Sequence, residues 1–181
     1  VQAAGPYTGF VVDNNNITAI GRGPALGIYS QNYNGATDIT VTNNYINITG
    51  LATGNYYALA SGMELQDSVA KVYNNTIYSY NVEDGTDGLF GISYAQSTGG
   101  SHIFDIQNNT VITDGQYAVF FLSAKGSTVS NNILYSDELL GDEAVNIGGG
   151  SGNVIEDNYP IVCPTIIVEA TDVFEGQATT V

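Results

Sequence analysis

The hexamer "VTNNYI" (residues 41–46) sets two adjacent amides inside an otherwise strand-forming segment. Val, Tyr and Ile favour strands, whereas Asn is depleted in them. The pattern recurs as "VDNNNI" (12–17), "VYNNTI" (72–77), "IQNNTV" (106–111), "VSNNIL" (129–134) and, degraded, "IEDNYP" (155–160). The first position is always Val or Ile: Val12, Val41, Val72, Ile106, Val129 and Ile155. The fourth is always Asn: Asn15, Asn44, Asn75, Asn109, Asn132 and Asn158, spaced 29, 31, 34, 23 and 26 residues apart. A short fixed motif at an irregular period of this length is the signature of a solenoid with loops of variable length.

Asn tolerates the left-handed backbone region better than most residues, so one Asn between two short strands turns the chain sharply. On this reading the fourth-position Asn recurs at one corner of every turn. Its side chains then stack at about one strand spacing, ~4.8 Å, and donate to one another. A second element precedes each corner: "GIYS" (27–30), "GMEL" (62–65), "GISY" (91–94), "AVFF" (118–121) and "AVNI" (144–147). Each turn therefore holds three strand-like pieces. Alternation predicts three inner stacks: Ile28, Met63, Ile92, Val119 and Val145; the first-position Val and Ile residues; and Ile17, Ile46, Ile77, Val111 and Leu134. Tyr29, Glu64, Ser93, Phe120 and Asn146 fall on an outward stripe, a candidate carbohydrate-facing surface. Helix signals are confined to "SDELLGDEA" (136–144).

These motifs resemble the right-handed parallel β-helix, the fold of pectate lyases, polygalacturonases, phage tailspikes and many surface adhesins. The expected architecture is all-β, about six coils with an Asn ladder over residues 11–160. Residues 1–10 are expected as an N-terminal cap. The Asn-, Thr- and Tyr-rich texture further resembles adhesin-like surface proteins of methanogenic archaea, in which β-helix regions precede immunoglobulin-like repeats. Residues 161–181, with "PTIIVEATDVFEGQATTV", resemble the opening strands of such a repeat; the alternative is a C-terminal strand that pairs with the coil or with another copy.

Charge narrows the partners. Eighteen acidic residues face three basic ones, Arg22, Lys71 and Lys125, for a net charge of −15. Binding to nucleic acid or to an anionic membrane needs clustered Lys and Arg, and the sequence offers no such cluster. No apolar run approaches a membrane span. The lone Cys163 excludes an internal disulfide. The opening "VQAAGPYTGF" lacks the charged-then-apolar pattern of a secretion signal, and a mature or excised segment would begin the same way.

Catalytic motifs of polygalacturonases ("NTD", "DD", "GHG", "RIK") are missing, and the basic residues do not cluster as a lyase's proton abstraction requires. His102 has no partner identifiable from sequence. Glu64 and Asp67 lie on or beside the outward stripe, where a glycosidase would need two carboxylates. Acidic loops in the third to fifth coils place Asp84, Asp87, Asp114, Asp137 and Asp142 toward one edge, a candidate Ca²⁺ site or a solvated acidic margin. Four sequons occur. Asn16 and Asn47 are expected to face outward as glycan acceptors, while those at Asn74 and Asn108 overlap the corner and are expected to be structural. The favoured expectation is a non-enzymatic extracellular or cell-surface module for adhesion or for surface-layer or fibre assembly. The alternatives are a polysaccharide lyase or glycosidase, and a filament subunit joined through its C-terminal strand.

Overall fold

The computed structural model describes residues 1–4, 7–21, 25–31, 38–51, 60–66, 69–81, 90–94, 102–137 and 139–161. The chain winds through six coils. The first holds β1 (Gln2–Ala4), β2 (Phe10–Asp13) and β3 (Asn16–Gly21). The second holds β4 (Ala25–Gln31), β5 (Asp38–Thr42) and β6 (Tyr45–Gly50), and the third β7 (Ala60–Gln66), β8 (Val69–Tyr73) and β9 (Thr76–Asn81). The fourth holds β10 (Phe90–Tyr94), β11 (Ile103–Gln107) and β12 (Thr110–Thr113), and the fifth β13 (Tyr117–Ser123), β14 (Thr128–Ser130) and β15 (Ile133–Tyr135). The sixth holds β16 (Val145–Gly149) and β17 (Val154–Glu156), with Tyr159 bridging to Ile133.

Like strands of successive coils pair in parallel. The first sheet runs β1-β4-β7-β10-β13-β16, the second β2-β5-β8-β11-β14-β17 and the third β3-β6-β9-β12-β15. This is a right-handed parallel β-helix. Within residues 1–10, expected as a cap, β1 pairs with the first sheet, Gln2 registering on Tyr29, and Phe10 begins β2.

The three inner stacks form in the expected register. Ile28, Met63, Ile92, Val119 and Val145 align in the first sheet. Val12, Val41, Val72, Ile106, Val129 and Ile155 align in the second. Ile17, Ile46, Ile77, Val111 and Leu134 align in the third. The middle members are fully buried, and an aromatic stack of Tyr94, Phe104 and Phe121 fills the fourth and fifth coils beside them.

The two corner asparagines divide the work, which corrects the assignment of both roles to the fourth position. The left-handed residues are the third-position ones: Asn14, Asn43, Asn74, Asn108, Asn131 and Asp157, with φ between 54° and 57°. They make the bend and point to solvent. The fourth-position residues make the ladder. Each donates its backbone N–H and its amide Nδ2 to the Oδ1 of the next coil's Asn: Asn15 to Asn44, Asn44 to Asn75, Asn75 to Asn109, Asn109 to Asn132 and Asn132 to Asn158. From Asn44 on, Nδ2 also reaches the carbonyl of the first-position residue one coil back, as Asn75 does to Val41 at 3.0 Å. Every polar atom of a buried carboxamide is thereby satisfied, which is what makes its burial tolerable.

Candidate functional site

The outward stripe of the first sheet exists as a row: Tyr29, Glu64, Ser93, Phe120 and Asn146 are register partners. Its members differ in exposure. Ser93 is buried, while the other four are half-buried. The cause is a bend within each strand. Gly62 and Met63, Gly91 and Ile92, and Ala118 and Val119 are consecutive buried pairs, so alternation breaks there. Side chains on either side of the break then meet: Ser61 Oγ lies 3.2 Å from Ser93 Oγ, and Phe90 stacks on Phe120 at 4.5 Å. The outer surface is thus folded into an axial crease, hydroxyl-lined in the third and fourth coils and aromatic in the fourth and fifth.

Glu64 is not a solitary acid. Its Oε1 accepts from Gln66 Nε2 at 2.7 Å. Gln66 is 4% exposed and its backbone N–H donates to Ser30 Oγ, yet its own Oε1 has no hydrogen-bond partner. A buried amide oxygen beside a carboxylate is a place for one hydroxyl or water donor. Nothing in the hexamer motif marks Gln66; only its position two residues beyond Glu64 on the same strand face could have singled it out. Asp67, the second acid considered for glycosidase chemistry, lies outside the described residues, as does Arg22.

Of the five acidic residues expected toward one edge, Asp114, Asp137 and Asp142 are described. Asp84 and Asp87 lie outside the described residues. Asp114 and Asp137 sit in neighbouring coils, where Asp114 N–H donates to Ser79 O and Asp137 N–H to Gly115 O. Asp142 stands elsewhere. It is the second residue of the acidic 3₁₀ turn Gly141–Ala144, and its Oδ1 accepts from Asn158 N at 3.1 Å and from Asn158 Nδ2 at 2.7 Å. That is the geometry of every ladder rung above it. Asp142 is the last rung, a carboxylate oxygen standing where a further coil would place Asn Oδ1. Among the described residues, no group of three or more His, Cys, Asp or Glu side chains is arranged to hold a metal ion.

His102 is buried against Tyr94 and Phe104, and Tyr94 Oη shares a hydrogen bond with its Nε2 at 2.6 Å. It belongs to the aromatic packing, which accords with a structural role. Lys71 and Lys125 are exposed on different elements. Asn16 is exposed and Asn47 half-buried on the third sheet's outer face. Asn74 and Asn108, expected to be structural because they overlap the corner, are the exposed left-handed residues, so their side chains face solvent.

On the second sheet, Asp105 binds two neighbours. Tyr73 Oη donates to its Oδ2 and Gln107 Nε2 to its Oδ1. Burial, then the hydrogen bond and the charge of Asp105, push the Tyr73 hydroxyl up to about 12. No described helix is long and apolar enough to cross a membrane.

Fold and surface together define the class, a parallel β-helix rod with an internal amide ladder. Comparison with protein-family models, curated proteins and solved structures yields no match.

Proposed function

We propose that the chain is a non-enzymatic β-helix module of an extracellular or cell-surface protein, serving adhesion or the building of a surface layer or fibre. The observation that supports this reading is the ladder. One hydrogen-bonded column runs from Asn15 through Asn158 to Asp142 and crosses all six coils. A rod held in register this way presents side chains at fixed spacing on three long faces, which suits a scaffold or a binding rod. Net charge of −15 keeps such a rod soluble and turns it away from anionic surfaces. The resemblance to adhesin-like surface proteins of methanogenic archaea points the same way.

Protease shaving of intact source cells, followed by detection with an antibody to this chain, tests the location. Loss of the signal without cell lysis supports a surface module, and an unchanged signal from an intact cytoplasmic pool overturns it. The enzymatic alternative is decided by incubating the protein with polysaccharides and measuring new reducing ends and unsaturated uronate. Turnover that disappears in Glu64→Gln would replace this reading with a carbohydrate-active enzyme.

A further inference from the structure

The five strands of the third sheet, "NITAIG", "YINITG", "TIYSYN", "TVIT" and "ILY", contain no Asp, Glu, Lys, Arg or His. Their inward residues fill the core. Their outward residues form a surface rich in rings. Asn47, Tyr78, Ile112 and Tyr135 are register partners in one axial row, with Tyr45 on one side of that row and Tyr80 on the other. The rings touch: Tyr45 and Tyr78 lie 5.8 Å apart, tilted, and Tyr78 and Tyr80 lie 6.3 Å apart, stacked within 17°. Tyr45, Tyr80 and Tyr135 are each more than a third exposed. Burial first, then Tyr78, Asp114, Tyr45 and Tyr135, raise the Tyr80 hydroxyl above its ordinary range. Tyr80 therefore stays uncharged near neutral pH.

Exposed aromatic area of this kind marks an interaction surface. Its chemistry selects the occupant. Tyr offers a flat apolar ring with a hydroxyl rim. Asn47 and the threonines of the same face add neutral donors and acceptors. A pyranose has the complementary surface, apolar C–H faces with a rim of hydroxyls. Charge disfavours the competing occupants. Asp114 follows directly on β12 and Asp137 stands two residues past the end of β15, so an anionic polymer meets like charge at that margin, and a second copy brings another net −15. The surface spans the second to fifth coils, on the order of 15 Å at one strand spacing per coil, which suits an extended chain.

We propose that the outer face of the third sheet binds a neutral polysaccharide, laid across the rings of Tyr45, Tyr78, Tyr80 and Tyr135. The proposal rests on the reading of the chain as a surface module and names what that module holds.

Native affinity electrophoresis tests it, with hydroxyethylcellulose or galactomannan cast in the gel and polygalacturonate as the comparator. The neutral polymers should retard the protein. Tyr78→Ser and Tyr80→Ser should each raise the apparent Kd at least tenfold, while Tyr78→Phe, which keeps the ring, should stay within about threefold. Val11→Ser, on the second sheet's outer face, should bind as the parent does. Circular dichroism and melting confirm that each variant is folded; if Tyr78→Ser is not, Tyr135→Ser supplies the same reading from another strand. Absence of retardation by either neutral polymer, retardation indifferent to the tyrosine changes, or tighter binding to polygalacturonate would overturn the proposal. None of these outcomes alters the shaving result, so the surface-module reading stands or falls separately.

Discussion

Asn74 and Asn75 are chemically identical neighbours with opposite duties, and substitution should separate them. Asn75 is buried, and its backbone N–H and amide donate four hydrogen bonds, to the coils on either side and to its own coil. Asn75→Ala removes the amide donor, leaves Asn44 N–H without its acceptor and takes one of three acceptors from Asn44 Nδ2. Urea unfolding should show a loss of roughly 1–3 kcal/mol, and Asn15→Ala, at the exposed end of the ladder, should cost less. Asn74 is exposed with φ 56°. Asn74→Gly should be nearly neutral, whereas Asn74→Val should cost about 1–2 kcal/mol because a β-branched side chain opposes the left-handed backbone. Tyr73 sets a pH dependence. Its hydroxyl ionises near 10.0 when unperturbed and at about 12 in the folded protein. The unfolded chain thus loses the proton first. Stability is intact below pH 10 and falls as pH rises from about 10 to about 12, and Tyr73→Phe should flatten that decline in urea midpoints measured across the window.

Between strands, packing couples residues that no linear motif connects. The position before the first inner stack is Gly27, Gly62 and Gly91 in the second to fourth coils, then Ala118 and Ala144. The residue facing it from the third sheet explains the change. A Cβ on Gly62 would lie 2.2 Å from Ile77 Cγ2 and 2.7 Å from Gly91 O, and one on Gly91 2.0 Å from Val111 Cγ1 and 2.7 Å from Ala118 O, so the side chain is the closer of two obstacles. In the fifth coil the corresponding residue is Leu134, which has no branch at Cβ, and Ala118 fits. Gly91→Ala should therefore destabilise by roughly 1–3 kcal/mol through overpacking, and adding Val111→Leu should restore part of the loss. A double-mutant cycle in urea measures this, and strictly additive effects would refute the steric pairing. The coils and inner stacks were legible in the sequence because a strand's period is 2 and the hexamer fixes the register of each turn. The crease was not, because it depends on two consecutive residues facing inward, a local break in that period. The hexamer did not mark the tyrosine surface: Tyr78 and Tyr135 stand one residue after their windows, Tyr45 inside its own and Tyr80 three residues beyond its window, and they converge only after the coils stack.

At the scale of the rod, the two ends are built differently. At the start, Asn15 is exposed and Ile17 and Ala19 are only half-buried, whereas their counterparts Ile46 and Ile48 in the next coil are fully buried. At the finish, the 3₁₀ turn Gly141–Ala144 folds under the last corner, where Asp142 replaces a seventh ladder residue. This device was invisible in the sequence because the capping residue precedes Asn158 by 16 positions, reversing the order in which the other rungs follow one another. It also supplies a test of how the rod comes apart. Stability in a solenoid is set by each coil and its contacts with adjacent coils, so a lost cap should act locally. Asp142→Ala leaves Asn158 N–H without its acceptor and leaves Asn158 Nδ2 only Val129 O. Hydrogen exchange should then speed at Asn158 and at Tyr159, whose N–H donates to Asn132 O, while Asn75 and Asn109 in the central coils keep their protection. Asp142→Asn retains an Oδ1 able to accept the same two hydrogen bonds and should exchange like the parent. Equal loss of protection through all coils in Asp142→Ala would show that the rod opens as one unit. Faster exchange in Asp142→Asn would show that the carboxylate's charge, rather than its place in the ladder, holds the end closed.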